Sequence, residues 1–248
     1  MNKTIRSYFV DSRKHRYSIL FALPLLIGYE ALAAFLAQPG EGELRNGADA
    51  LFRAAFTAVA GDRGPMIFMA AVVLLGVGLI ARDLRGSSRL RPMTFVGMLA
   101  ESSALALVFG VVVGLITAQL LGSLQSLSVA PLALGQLTEL SWTSRLMLSL
   151  GAGLYEELFF RVLLVTALAA GARVVLGFTP RGAGIVAAIL GAFIFSAFHY
   201  IGPMGDELKL QSFIFRWLSG LAFSGLYLLR GFGITAWTHA LYDAFLLL

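Results

Sequence analysis

Seven stretches of this chain are almost continuously apolar: Tyr17–Ala37, Pro65–Ala81, Met93–Leu121, Leu146–Ala170, Ala183–Ile201, Phe213–Leu229 and Phe232–Leu248. Each reaches the length of roughly 17–25 residues that a helix needs to cross about 30 Å of hydrocarbon. Charged residues make up only 13% of the 248 positions and hydrophobic ones 58%, whereas soluble domains carry about 25% charge. Water cannot be the sole solvent of such a chain, which excludes an ordinary soluble enzyme and a disordered polymer alike. The alternating apolar-out, polar-in pattern of a membrane β-barrel is missing, so the expected fold is all-α and polytopic. There is no cysteine, which removes disulfides, thiolate metal sites and cysteine nucleophiles. No internal repeat, low-complexity tract or linker divides the sequence, and residues 1–248 read as a single membrane domain.

The net charge of +5 does not point to nucleic acid, because the basic residues gather at the ends of the apolar runs. Lys3, Arg6, Arg13, Lys14 and Arg16 precede the first run, which is long for a secretory signal and contains Glu30. Arg82, Arg85, Arg89 and Arg91 separate the second and third, Arg173 and Arg181 flank the fifth, and Arg230 divides the last two. With seven spans all four clusters share one face, taken as cytoplasmic, and the N-terminus lies on it. Most acids fall in the opposite loops: Glu41, Glu43, Asp49, Asp62, Glu139, Asp206 and Glu207. Two segments complicate the count. Ala48–Ala60 reads as a short interfacial helix, and Leu124–Leu137 as a segment able to re-enter the membrane as an eighth span, which would invert everything after it.

Charge at membrane depth costs at least about 2.5–3.5 kcal/mol per residue on insertion scales, so each instance needs a reason. Glu30 and Glu101 are single carboxylates, best read as helix-to-helix ties. The fourth run reads Gly153-Leu154-Tyr155-Glu156-Glu157-Leu158-Phe159-Phe160-Arg161. On an α-helix, adjacent carboxylates stand about 100° apart and Glu157 stacks over Arg161. That pair leaves Glu156 as a second buried acid, and the division suits one fixed anchor and one carboxyl that exchanges a proton. His199 closes the fifth run one turn after Phe195, and the seventh contains His239 and, four residues on, Asp243, which would orient it. His15 belongs to the basic tail.

Glu156-Glu157-x-x-x-Arg161, Phe195-x-x-x-His199 and His239-x-x-x-Asp243, in this order, resemble the three motifs of the CPBP family. This is the group of CAAX proteases and bacteriocin-processing membrane proteins, related to the Ras-converting type II CAAX prenyl endopeptidase. Asp243 departs from the Asn common at that position. The resemblance covers a motif-bearing core of about residues 145–248 and implies seven or eight transmembrane helices around an intramembrane active-site cavity. It further implies peptide-bond hydrolysis in a membrane-anchored or C-terminal-tail substrate, in a bacterial plasma membrane. Glu156 and His199 would activate water, His239 and Asp243 would stabilise the oxyanion, and Glu157 and Arg161 would support them. His199, His239 and Glu156 would be the ligands if zinc were used. The absence of a His-Glu-x-x-His helix favours a metal-free reaction. Two other classes stay open: a non-catalytic immunity or secretion accessory, and a proton-coupled carrier using Glu30, Glu101 and the His/Asp groups.

Overall fold

The structure is a computed structural model that describes residues 3–37, 43–85, 90–121, 140–202 and 205–247. All regular elements among these residues are helical. In chain order they are α1 (Lys3–Asp11), α2 (His15–Leu36), α3 (Gly47–Ala60), α4 (Gly64–Leu84) and α5 (Pro92–Leu121). After them come α6 (Trp142–Gly151), a π-helical segment (Ala152–Val165), α7 (Thr166–Val174), α8 (Pro180–Phe198), α9 (Leu210–Arg230) and α10 (Phe232–Leu247). The segment Leu124–Leu137 lies outside the described residues. Five stretches are long and apolar enough to cross a membrane: His15–Leu36, Gly47–Leu84, Pro92–Leu121, Pro180–Phe198 and Leu210–Arg230. The chain is an integral, polytopic, all-helical membrane protein. Leu74, Leu75 and Val77 on α4 and Leu107 and Val111 on α5 are exposed, as expected of side chains that meet lipid.

Local sequence explains the boundaries. The Asn46 side chain caps α3 by accepting from Ala48 N at 2.9 Å, Ser141 caps α6 through Ser144 N at 3.1 Å, and Thr179 caps α8 ahead of Pro180. Ala48–Ala60 is helical as expected, but it does not stand alone at the surface. Gly61, at φ 59°, turns the chain, and α3 folds back along α4. The expected fourth span is helical throughout, yet its middle adopts the wider π winding, in which each N–H bonds five residues back.

Helix α10 occupies the centre and packs on α2, α5, α6, the π segment and α9. Its approach to the π segment depends on Gly153, where a Cβ would collide with the Ala236 carbonyl oxygen and with Ala240. Small residues at such crossings let backbones come close, which in lipid replaces the hydrophobic drive between helices. The basic end of the bundle is tied by ion pairs. Arg230 meets both Glu101 carboxylate oxygens at 2.6 and 2.7 Å, and Tyr8 donates to the same carboxylate. Glu101 is thus an interhelical tie. Glu30 ties the other half of α2: it accepts from Arg45, Arg53 and Tyr155, each at 2.9 Å.

Candidate active site

The half of the bundle away from the basic end contains a cavity of about 560 Å³. Its wall combines the start of α3, the π segment, the end of α8, and α9 and α10. Glu156, His199, His239 and Asp243 all line it. Glu157 and Arg161 stand behind that wall, 0% and 1% exposed. The two adjacent glutamates therefore diverge.

Glu156 is held at one carboxylate oxygen only. Asn46 Nδ2 donates to its Oε1 at 2.8 Å, whereas the buried Oε2 has no hydrogen-bond partner among the described residues. Asn46 is itself fixed by its backbone N–H, which donates to the Tyr29 hydroxyl at 3.0 Å, and Tyr29 donates to Asp49 at 2.8 Å. Arg53 and Arg45 close this network onto Asp49 and Glu30. Burial opposes the charge of Arg45, but the hydrogen bond and charge of Glu30 outweigh it and raise the pKa of this guanidinium. A rigid ion-paired frame therefore presents one amide to one carboxylate.

His199 caps the end of α8. Its Nδ1 lies 2.8 Å from the Phe195 carbonyl oxygen. A carbonyl can only accept, so Nδ1 carries the proton and Nε2 of the neutral ring carries the lone pair. The i,i+4 spacing in the motif thus fixes a tautomer. The Phe195 ring lies edge-on to His199, with centroids 4.8 Å apart, and 4.4 Å beneath the Arg161 guanidinium. Arg161 also faces Phe223 at 5.4 Å, so aromatic faces take up much of the guanidinium's charge.

His239 differs from the sequence expectation in its partner. Its Nδ1 is 2.7 Å from Glu157 Oε1, while Asp243 Oδ2 is 3.7 Å from Nε2, beyond hydrogen-bond distance. Glu157, rather than Asp243, sets the His239 tautomer. Glu157 also pairs with Arg161 at 3.1 Å, the i,i+4 contact the sequence predicts. The His239 ring stacks on Phe223, with centroids 4.4 Å apart. Among the described residues no group of three or more His, Asp or Glu side chains is arranged to hold a metal ion. His199, His239 and Glu156 share the cavity; with Nδ1 of each imidazole and Glu156 Oε1 engaged, the two Nε2 atoms and Glu156 Oε2 are the atoms that could hold a metal.

Residues 138–245 match the family model described as type II CAAX prenyl endopeptidase Rce1-like. These residues form a domain of that family. No curated protein and no solved structure matches the chain. The match supports, at the level of the family, a CAAX-type intramembrane protease, a hydrolase whose substrates are associated with the bilayer. The Rce1-like domain holds all six residues singled out by the motifs, but the motifs miss two that the cavity reveals. Asn46 lies 110 residues upstream of the carboxylate it bonds, and its position before Gly47 marks it only as a helix cap. Arg216 lies within the sixth apolar run, where charge at depth is the signal that could single it out.

The Asn46 contact is directly testable. Asn46→Ser keeps a capping oxygen for α3 but is too short to reach Glu156. We expect kcat to fall about tenfold, the value of one hydrogen bond to a charged group, with stability changed by less than about 1 kcal/mol. Peptide-cleavage kinetics alongside thermal unfolding in nanodiscs check this. Parallel loss of folding and activity would instead assign Asn46 to the cap alone.

Proposed function

We propose that the chain is a metal-free glutamate intramembrane endopeptidase acting on a membrane-anchored peptide or a protein's C-terminal tail. The observation that carries this reading is the asymmetry at Glu156: one oxygen is held by Asn46, and the other is buried with no hydrogen-bond partner among the described residues. A carboxylate so oriented can take a proton from water. His199 Nε2, which bears the lone pair, accepts the second water hydrogen and aims the oxygen. The water oxygen bonds to the scissile carbonyl carbon while its proton passes to Glu156 Oε2. The carbonyl oxygen becomes an oxyanion beside His239, whose doubly protonated ring donates to Glu157 through Nδ1–H and to the developing charge through Nε2–H. Collapse of the tetrahedral intermediate breaks the C–N bond, and Glu156 returns the proton to the leaving amine. Glu157 and Arg161 hold His239 in register. This reading requires no metal. Activity is expected to survive exhaustive chelation, and complete loss with specific rescue by zinc would overturn the metal-free step.

The cavity wall reaches Leu44, Ile201 and Gly202, loop residues at the end of the bundle away from the basic cluster. If the basic end is cytoplasmic, as the loop charges predict, the substrate enters from the opposite face. Reporter fusions that place residue 202 in the cytoplasm would reverse this. The decisive test of function is comparison of protein C-termini in cells carrying wild type or Glu156→Gln. Substrates should accumulate uncut in the variant, and identical C-terminal profiles would remove the proteolytic reading.

A further inference from the structure

One wall of the cavity carries three donors that the proposed hydrolysis does not use. Arg216 Nη1, Ser219 Oγ and Tyr242 Oη are buried and have no hydrogen-bond partner among the described residues. All three residues line the cavity, and each is only 5% exposed. Arg216 and Ser219 are three positions apart on α9 and so share a face. Tyr242 reaches the same cavity from α10, next to Asp243 in sequence. Its ring is fixed by Phe109, with centroids 5.1 Å apart, and by close contact with Gly110. Arg216 lines the cavity together with His199, Tyr242 and Asp243, so it shares one space with the reacting groups. Leaving buried donors unpaired costs about 1–3 kcal/mol each, so such a cluster is organised for an acceptor that arrives from outside.

A guanidinium edge with two hydroxyls is a recognition surface for an anion. Its charge suits a carboxylate better than a phosphate. The second edge of Arg216 is committed to Asp206, and Glu156 and Asp243 line the same cavity, so a dianion would be poorly compensated. The cavity's other cation, Arg45, is engaged by Glu30, Glu43 and Asp49. A cavity of about 560 Å³ accommodates a short peptide end.

We propose that Arg216, Ser219 and Tyr242 form a subsite for the terminal carboxylate of the substrate, on the leaving-group side of the scissile bond. The subsite makes the protease a reader of chain ends: cleavage is placed by the distance from the free C-terminus. This specificity rests on the proteolytic reading above, and its test is built to fail separately from it.

The full-length protein is reconstituted in nanodiscs and offered an N-palmitoylated, fluorescent pool of random decapeptides, prepared as free acids and as C-terminal carboxamides. Binding is measured on Glu156→Gln, and hydrolysis on the wild type. The free acids should bind at least about tenfold more tightly, the scale of a charge-assisted hydrogen bond. Tyr242→Phe and Ser219→Ala, each removing one hydroxyl, should each reduce that preference about threefold or more. Arg216→Gln should abolish it. Because loss of Arg216 removes its ion pair with Asp206 and can impair folding, the two hydroxyl variants carry the test on their own. Equal binding of acid and carboxamide, or a preference unchanged in both hydroxyl variants, overturns the subsite. So does a carboxamide pool that regains full affinity from a terminal Asp or Glu side chain, because then the recognised carboxylate is not the chain end. A binding preference without hydrolysis by the wild type would keep the subsite and reject the protease. Hydrolysis without preference would do the reverse.

Discussion

Glu156→Gln is expected to lower kcat for peptide hydrolysis by roughly 10²–10⁴-fold, the contribution of a positioned general base. The substitution is close to isosteric and still offers an oxygen to Asn46 Nδ2, so the frame built on Tyr29, Asp49 and Arg53 should persist. What disappears is the basic oxygen that faces the cavity. Rates measured with a membrane-anchored peptide should fall while the unfolding temperature stays near that of the wild type. His199→Ala should cost about as much, and the double variant should add little, because groups acting on one water molecule are not additive. Activity of Glu156→Gln within about threefold of wild type would show that another group takes the proton.

The second large effect concerns stability. Arg161→Met leaves the buried Glu157 with His239 as its remaining described partner, and removing one member of a buried pair typically costs about 3–5 kcal/mol. Both side chains are at most 1% exposed, so solvent cannot compensate. The loss includes the stacking of the guanidinium over Phe195 and Phe223. Adding Glu157→Gln to the same chain removes the buried charge and should recover at least half of the lost stability, read as unfolding in bicelles. The double variant should nevertheless hydrolyse poorly, because His239 Nδ1 then has no carboxylate to fix it. A destabilisation below about 1 kcal/mol for Arg161→Met would mean that the pair is not closed as described.

The helices were legible from hydropathy because lipid imposes length: Met93–Leu121 is realised as Pro92–Leu121, and Pro65–Ala81 as Gly64–Leu84. The Glu157–Arg161 contact followed from helical spacing, even though the segment winds more widely than an α-helix. That winding has no signature in composition. The segment packs closely on α10, where a Cβ on Gly153 would meet Ala236 and Ala240. Pairing of His239 with Asp243 was the natural expectation within one helix, yet the closer carboxylate comes from a neighbouring one. Asn46 was hidden for the same reason. Its contact with Glu156 is tertiary and far apart in the chain, and no local spacing encodes it.

The order of the helices along the chain sets when hydrolysis can begin. Asn46 leaves the ribosome early, Glu156 and His199 follow, and His239 arrives only with α10. Until α10 slots between α2, α5 and the π segment, Glu157 has no imidazole to grip and Arg216 lacks Tyr242 across the cavity. Under the roles proposed above, a partly synthesised molecule holds the base but not yet the oxyanion donor. On the proposed mechanism, hydrolysis becomes possible only when α10, the last helix, takes its place in the bundle.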